Sequence, residues 1–168
     1  MKRITRGSLL LAGLVLCALP AAALAGENPG FEKMKSLVGE WEGLTEEGEV
    51  SISYRLVSDG TALMETLVHA GESEMVTIYT ADGDRVALTH YCNENNQPRM
   101  QSGPISASPE ELAYSFVGGT NMASPATPHM HNLVVSFEGG DEFTQRWTWR
   151  DQEKEVTTTF HFKRKKSS

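Results

Sequence analysis

The chain has 168 residues, with 15 basic and 22 acidic side chains and a formal net charge of −7. That length suits one domain with one core. The acidic balance repels phosphate backbones, which argues against nucleic acid as a partner.

Residues 1–25 read as a secretory leader. Lys2, Arg3 and Arg6 form its basic start, residues 9–19 its apolar stretch, and Ala23-Leu24-Ala25 a small-x-small cleavage site. The apolar run falls short of the ~20 residues that a spanning helix needs. The protein is therefore not expected to be integral to a membrane, and is expected to be periplasmic or secreted after cleavage near Ala25. A lipid anchor on Cys17 would call for a small residue before it, and Leu16 is not small. Cleavage removes three basic residues, so 12 face 22 acidic ones in the mature chain, a net charge of −10. Cys92 is then the only cysteine, which rules out an internal disulfide and leaves the fold resting on its core.

Residues 26–168 read as a single domain with turn signals every ~8 to 15 residues, the rhythm of a sandwich or barrel. A short helical turn is expected over 31–37, followed by a first strand at 39–43. In 50–57, Val50, Ile52, Tyr54 and Leu56 alternate with Ser51, Ser53 and Arg55, the period of a strand with one buried face. Asp59-Gly60 turns the chain into 61–69, Gly71-Glu72 into 75–81, and Asp82-Gly83 into 85–92. A weaker strand is expected at 99–106 and a firmer one at 111–117. The irregular segment 118–128 is the natural lid, and strands at 129–138, 143–150 and 155–163 complete the set. Ten strands joined by short loops predict an all-β fold, a single antiparallel up-and-down β-barrel, because closure removes exposed edges. A barrel of that size has room for a small ligand as well as side chains.

Residues 31–41, Phe31-Glu32-Lys33-Met34-Lys35-Ser36-Leu37-Val38-Gly39-Glu40-Trp41, resemble the opening of a lipocalin, in which a helical turn leads to Gly-x-Trp. The physical logic stands beside the resemblance: Gly39 lets the backbone pass close under the barrel floor, and Trp41 plugs that floor. Lipocalins cap this Trp with an Arg from the last strands, and Arg146, Arg150 and Arg164 are available. Residues 74–79, 88–92, 96–100 and 143–149 are similar to a group of exported bacterial lipocalin-like (calycin) proteins of unknown function. The resemblance implies fold and export. Nitrobindin-type haem barrels, with ten strands and a similar entry, are a more distant likeness.

The polar residues that alternation places among apolar ones are the candidate site. The face of Val86 and Leu88 carries His90 and Cys92, and the face of Leu133, Val135 and Phe137 carries His129 and His131. Two such pairs converging in a lumen would suit a transition metal, and one lumenal His, as the nitrobindin likeness implies, would suit haem, with His131 the first candidate and His90 the second. The plainer readings are histidines bonded to backbone and an inert buried Cys92. Glu65 faces inward if Leu63 and Leu67 do, and would then need Arg99 or a histidine as partner. Tyr54, Tyr79, Trp147 and Trp149 supply aromatic wall, the two Trp sharing a face with Phe143. No Gly-x-Ser-x-Gly, phosphate loop or His-Glu-x-x-His occurs, so nothing points to catalysis. The expectation is a barrel that holds a small apolar or amphipathic molecule in a lumen of Tyr54, Glu65, Tyr79, His90, Arg99, His131, Trp147 and Trp149. A haem or metal barrel and a filled accessory module that binds another protein are the alternatives.

Overall fold

The computed structural model describes residues 27–45, 48–69, 71 and 73–166. The expected leader and cleavage site, and Cys17, lie outside the described residues.

Helix α1 (Pro29–Lys35) precedes ten strands: β1 (Gly39–Thr45), β2 (Gly48–Val57), β3 (Ala62–His69), β4 (Met75–Asp82), β5 (Arg85–Tyr91), β6 (Gln97–Ser102), β7 (Glu111–Thr120), β8 (His129–Phe137), β9 (Glu142–Asp151) and β10 (Lys154–Arg164). Every sequential pair is antiparallel, and β10 returns to β1, closing the barrel. The predicted up-and-down barrel is the observed fold.

Most boundaries shift by a residue or two from the sequence reading, and three of the shifts have a visible cause. The helix starts earlier, because Asn28 caps it by accepting from Phe31 N at 2.8 Å, with Pro29 in the first turn. Strand β6 begins at Gln97 and stops at Ser102, where the Ser102 hydroxyl takes up Val86 N at 2.9 Å and the chain leaves the sheet. Strand β7 runs on through Gly118 and Gly119 to Thr120, paired with Arg99, Pro98 and Gln97, so the loop after it is confined to 121–128.

Alternation sorts the side chains. Val50, Ile52 and Tyr54 of β2, Leu63, Glu65 and Leu67 of β3, Val86, Leu88 and His90 of β5, and Phe143, Gln145 and Trp147 of β9 are all buried in the lumen. The floor is built from one end of the chain to the other. Trp41 lies beneath the barrel and donates from Nε1 to Leu37 O at 2.7 Å, while Phe31, Met34 and Leu37 close over it. Of the three candidate arginines it is Arg164 that caps this ring. Its guanidinium sits 4.0 Å from the Trp41 ring centre and donates to Val38 O, Ser36 O and Gly140 O at 2.9 to 3.1 Å. Arg146 and Arg150 are instead engaged on the outer wall with Glu111 and Glu155. Gly39 has φ +132°, and a Cβ there would stand 2.8 Å from Arg164 Nη1. The glycine is what lets the cap approach.

Candidate functional site

The middle of the lumen is polar. Glu65 on β3 faces inward with Leu63 and Leu67, and its carboxylate is surrounded by donors from three other strands. Tyr54 on β2 and Tyr79 on β4 each donate to Oε2 at 2.7 Å, and Gln145 Nε2 on β9 donates to the same oxygen at 2.8 Å. Thr77 Oγ1 on β4 donates to Oε1 at 3.2 Å. The expectation that Glu65 pairs with Arg99 or a histidine is therefore corrected. Arg99 sits on the odd-numbered, outer face of β6 opposite Thr89 and is exposed, so it takes no part in the lumen. Two phenols, an amide and a hydroxyl do the work of a counter-charge. Burial still dominates and raises the Glu65 pKa above the usual carboxylate range, against the pull of the four hydrogen bonds. Tyr54 and Tyr79 are raised in turn, by burial and then by the Glu65 charge, which keeps both phenols as donors.

Thr77 extends the network to β5, where its hydroxyl meets His90 Nδ1 at 2.9 Å. His90 is 3% exposed, and desolvation lowers its pKa to about 4, so the ring is neutral. Its face packs on Trp147 with ring centres 4.7 Å apart, and Trp147 Nε1 donates to Gln145 Oε1 at 2.9 Å. Strands β5 and β9 stand on opposite walls, so this contact crosses the lumen. Two buried polar atoms beside the network have no protein hydrogen-bond partner: His90 Nε2 and the Tyr114 hydroxyl.

Above Trp147, away from the helix, the lumen opens into a cavity of about 300 Å³ lined by Glu94, Met130, Trp147, Trp149, Val156, Thr158 and Phe160. Its lining is mostly apolar, and its size lies at the lower end of the range for small-molecule pockets. The indole N–H of Trp149 is buried there with no protein acceptor. Larger grooves run along the outer wall, such as one of about 790 Å³ beside Glu42, Leu44, Glu49 and Lys163. The mouth cavity differs from them in being walled by two indoles and Phe160 of the inner face.

The structure thus gathers Tyr54, Glu65, Tyr79, His90 and Trp147 into one network and puts Trp149 in the cavity wall. The second histidine pair does not join them. His129 Nδ1 lies 2.6 Å from Thr127 O, and His129 Nε2 lies 2.9 Å from His131 Nδ1. Both rings pack against Phe116, His131 stacked and His129 tilted. A bulge between Met130 and Asn132 turns β8 here, which is why simple alternation misplaces His131. It is half-buried at the rim, and burial and nearby Arg150 lower its pKa. Cys92 lies just past β5, buried, with its thiol pKa raised by desolvation, the profile of an unreactive thiol. Among the described residues no group of three or more His, Cys, Asp or Glu side chains is placed to hold a metal ion. Neither His90 nor His131 is among the residues that line the mouth cavity; Trp147 stands between His90 and it. Of the 118–128 segment expected as a lid, 118–120 belong to β7, and the remaining 121–128 are tied to the neighbouring 93–96 turn through Asn96 Nδ2 to Pro128 O at 2.8 Å and through Asn121 to Asn95 O. It is Glu94 from that turn that reaches the cavity.

Sequence reasoning missed Thr77, Tyr114, Met130, Gln145 and Phe160. A signal for Gln145 was present, since it falls between Phe143 and Trp147 in the same period-two row. Met130 carried none, because the bulge brings it inward.

Fold and site together define a class: a closed antiparallel barrel, plugged by a helix and a capped Trp, with a polar network beneath an apolar mouth. A scan against protein-family models finds no matching family, and a search of curated proteins finds no matching relative.

Proposed function

We propose that the protein is a small-ligand-binding barrel that holds an apolar or amphipathic molecule at the mouth of its lumen. The observation that carries this reading is the cavity of about 300 Å³ between Trp147, Trp149, Met130 and Phe160, set over buried polar atoms that lack partners. Large aromatic walls with a few fixed polar groups are what small-molecule sites use for affinity and orientation. The ligand sits higher than the sequence alone suggested, because Tyr54, Glu65, Tyr79 and Gln145 fill the middle of the tube. The leader at residues 1–25 supports export, with the ligand met in the periplasm or outside the cell. Gly39, Trp41 and the Arg164 cap support kinship with calycin barrels.

Native mass spectrometry of the full chain purified from its own cells, together with calorimetric titration of indole, tests the reading. The expected result is saturable binding that Trp149→Ala weakens about tenfold with the fold retained, the effect of removing an aromatic wall. A protein that carries no adduct and gives no saturable binding of indole would refute it.

A further inference from the structure

The hydroxyl of Thr77 has one proton, and the geometry spends it on Glu65. Thr77 Oγ1 donates it to Glu65 Oε1 at 3.2 Å, beside the Tyr54, Tyr79 and Gln145 donors that occupy Oε2. Its oxygen is then left to accept, and the group within reach is His90 Nδ1 at 2.9 Å. That nitrogen must carry the proton of the neutral ring, which leaves Nε2 as a bare lone pair. Nε2 is buried and has no protein partner. Such an acceptor is costly to bury unmatched, and a donor is what it lacks. The groups that face this chain come from several strands: Tyr54 of β2, Glu65 of β3, Tyr79 of β4, Tyr114 of β7, and Gln145 with Trp147 of β9. Among the described residues, none is a cation paired with Glu65.

Trp147 touches both His90 and the mouth cavity, its indole held by Gln145. We infer that His90 is the polar anchor of the cavity: the ligand displaces the Trp147 ring and brings an N–H or O–H group to Nε2. The ligand class is therefore a compact aromatic or apolar molecule with a hydrogen-bond donor. This rests on the cavity reading above and adds which atom selects the ligand. Thr77 and Glu65 are positioning residues, acting only through the tautomer of His90.

Indole and 1-methylindole are matched probes, alike in ring system and different in the N–H. Both are titrated into the full-length mature chain, with the imidazole nitrogens of His90 followed by long-range 15N correlation NMR. Free protein is expected to show Nδ1 protonated and Nε2 bare. Indole is expected to move the Nε2 resonance and to bind about tenfold or more tightly than 1-methylindole, the discrimination of a site built around a hydrogen bond. In Thr77→Val the Nδ1–H tautomer is expected to lose its preference, and in His90→Phe the two probes are expected to bind alike. Equal affinities in the wild type, which need no variant, or a protonated Nε2 in the free protein would overturn the anchor and leave the cavity reading standing. Failure of both probes to saturate would overturn the anchor and, in a chain that also carries no adduct, the cavity reading with it.

Discussion

Replacing Glu65 by leucine removes the acceptor on which Tyr54, Tyr79, Thr77 and Gln145 converge, and it leaves their donors buried. Each unsatisfied buried donor costs about 1–3 kcal/mol, while the carboxylate's own desolvation cost is relieved. Glu65→Leu is therefore expected to lose about 3 kcal/mol or more of stability, with Glu65→Gln losing less because an amide oxygen keeps part of the network. Urea denaturation of the two variants checks the order, and a stabilised Glu65→Leu would show that the donors find other partners. The inward direction of Glu65 was readable in the Leu63, Glu65, Leu67 spacing. Its partners were not, because they come from three other strands and depend on register. The sequence points to Arg99 or a histidine as the partner, whereas the fold supplies neutral donors. His90 and Trp147 were each legible as lumen-facing, but their contact spans two opposite walls and follows from closure alone.

The elements themselves were legible wherever period two held, and blurred where glycine or a bulge carried a strand past its apolar residues. Gly118 and Gly119 read as loop because they lack side chains, yet the backbone ladder continues through them to Thr120. The seam that closes the barrel is the most telling case. Strand β10 pairs with β9 through ten residues but with β1 through only three, Trp41 to Gly43 against Arg164 to Phe162. Gly43 sits at the end of that short ladder, where a Cβ would lie 2.5 Å from His161 O and 3.1 to 3.2 Å from Val50 and Phe162. Backbone cannot yield as a flexible side chain does. Gly43→Val is therefore expected to push β10 away from β1 and to cost about 2 kcal/mol or more, in the range of overpacked core sites. Hydrogen exchange reads the location: faster exchange at Glu42 and Lys163, opposed across the seam in the same row as the Lys165 N to Glu40 O bond, with β9 unaffected. Uniform exchange at wild-type rates would mean that the seam accommodates the side chain.

For the molecule as a whole, two buried groups at the two ends of one hydrogen-bonded chain give stability opposite dependences on pH. His90 binds a proton near pH 6.5 when unfolded but only near 4 when folded. Between those values the unfolded chain holds the extra proton, so His90 makes stability fall as pH drops, by about 3 kcal/mol at pH 4. Glu65 runs the other way. Burial raises its folded pKa above the ordinary 4.5, so the folded state holds its proton longer, and stability falls as pH rises through that raised value. The two slopes oppose each other above pH 4.5, and the wild-type profile alone does not separate them. His90→Gln keeps an amide for Thr77 and removes the titration. Relative to the wild type, this variant is expected to gain about 3 kcal/mol as pH falls from 6.5 to 4, because its unfolded state no longer takes up that proton. Urea unfolding at half-unit pH steps measures the difference, in which the other histidines cancel. Parallel profiles across that window would mean that His90 titrates normally. The imidazole would then be solvated in the folded protein, and the dry network that links β3, β4, β5 and β9 would not exist as described.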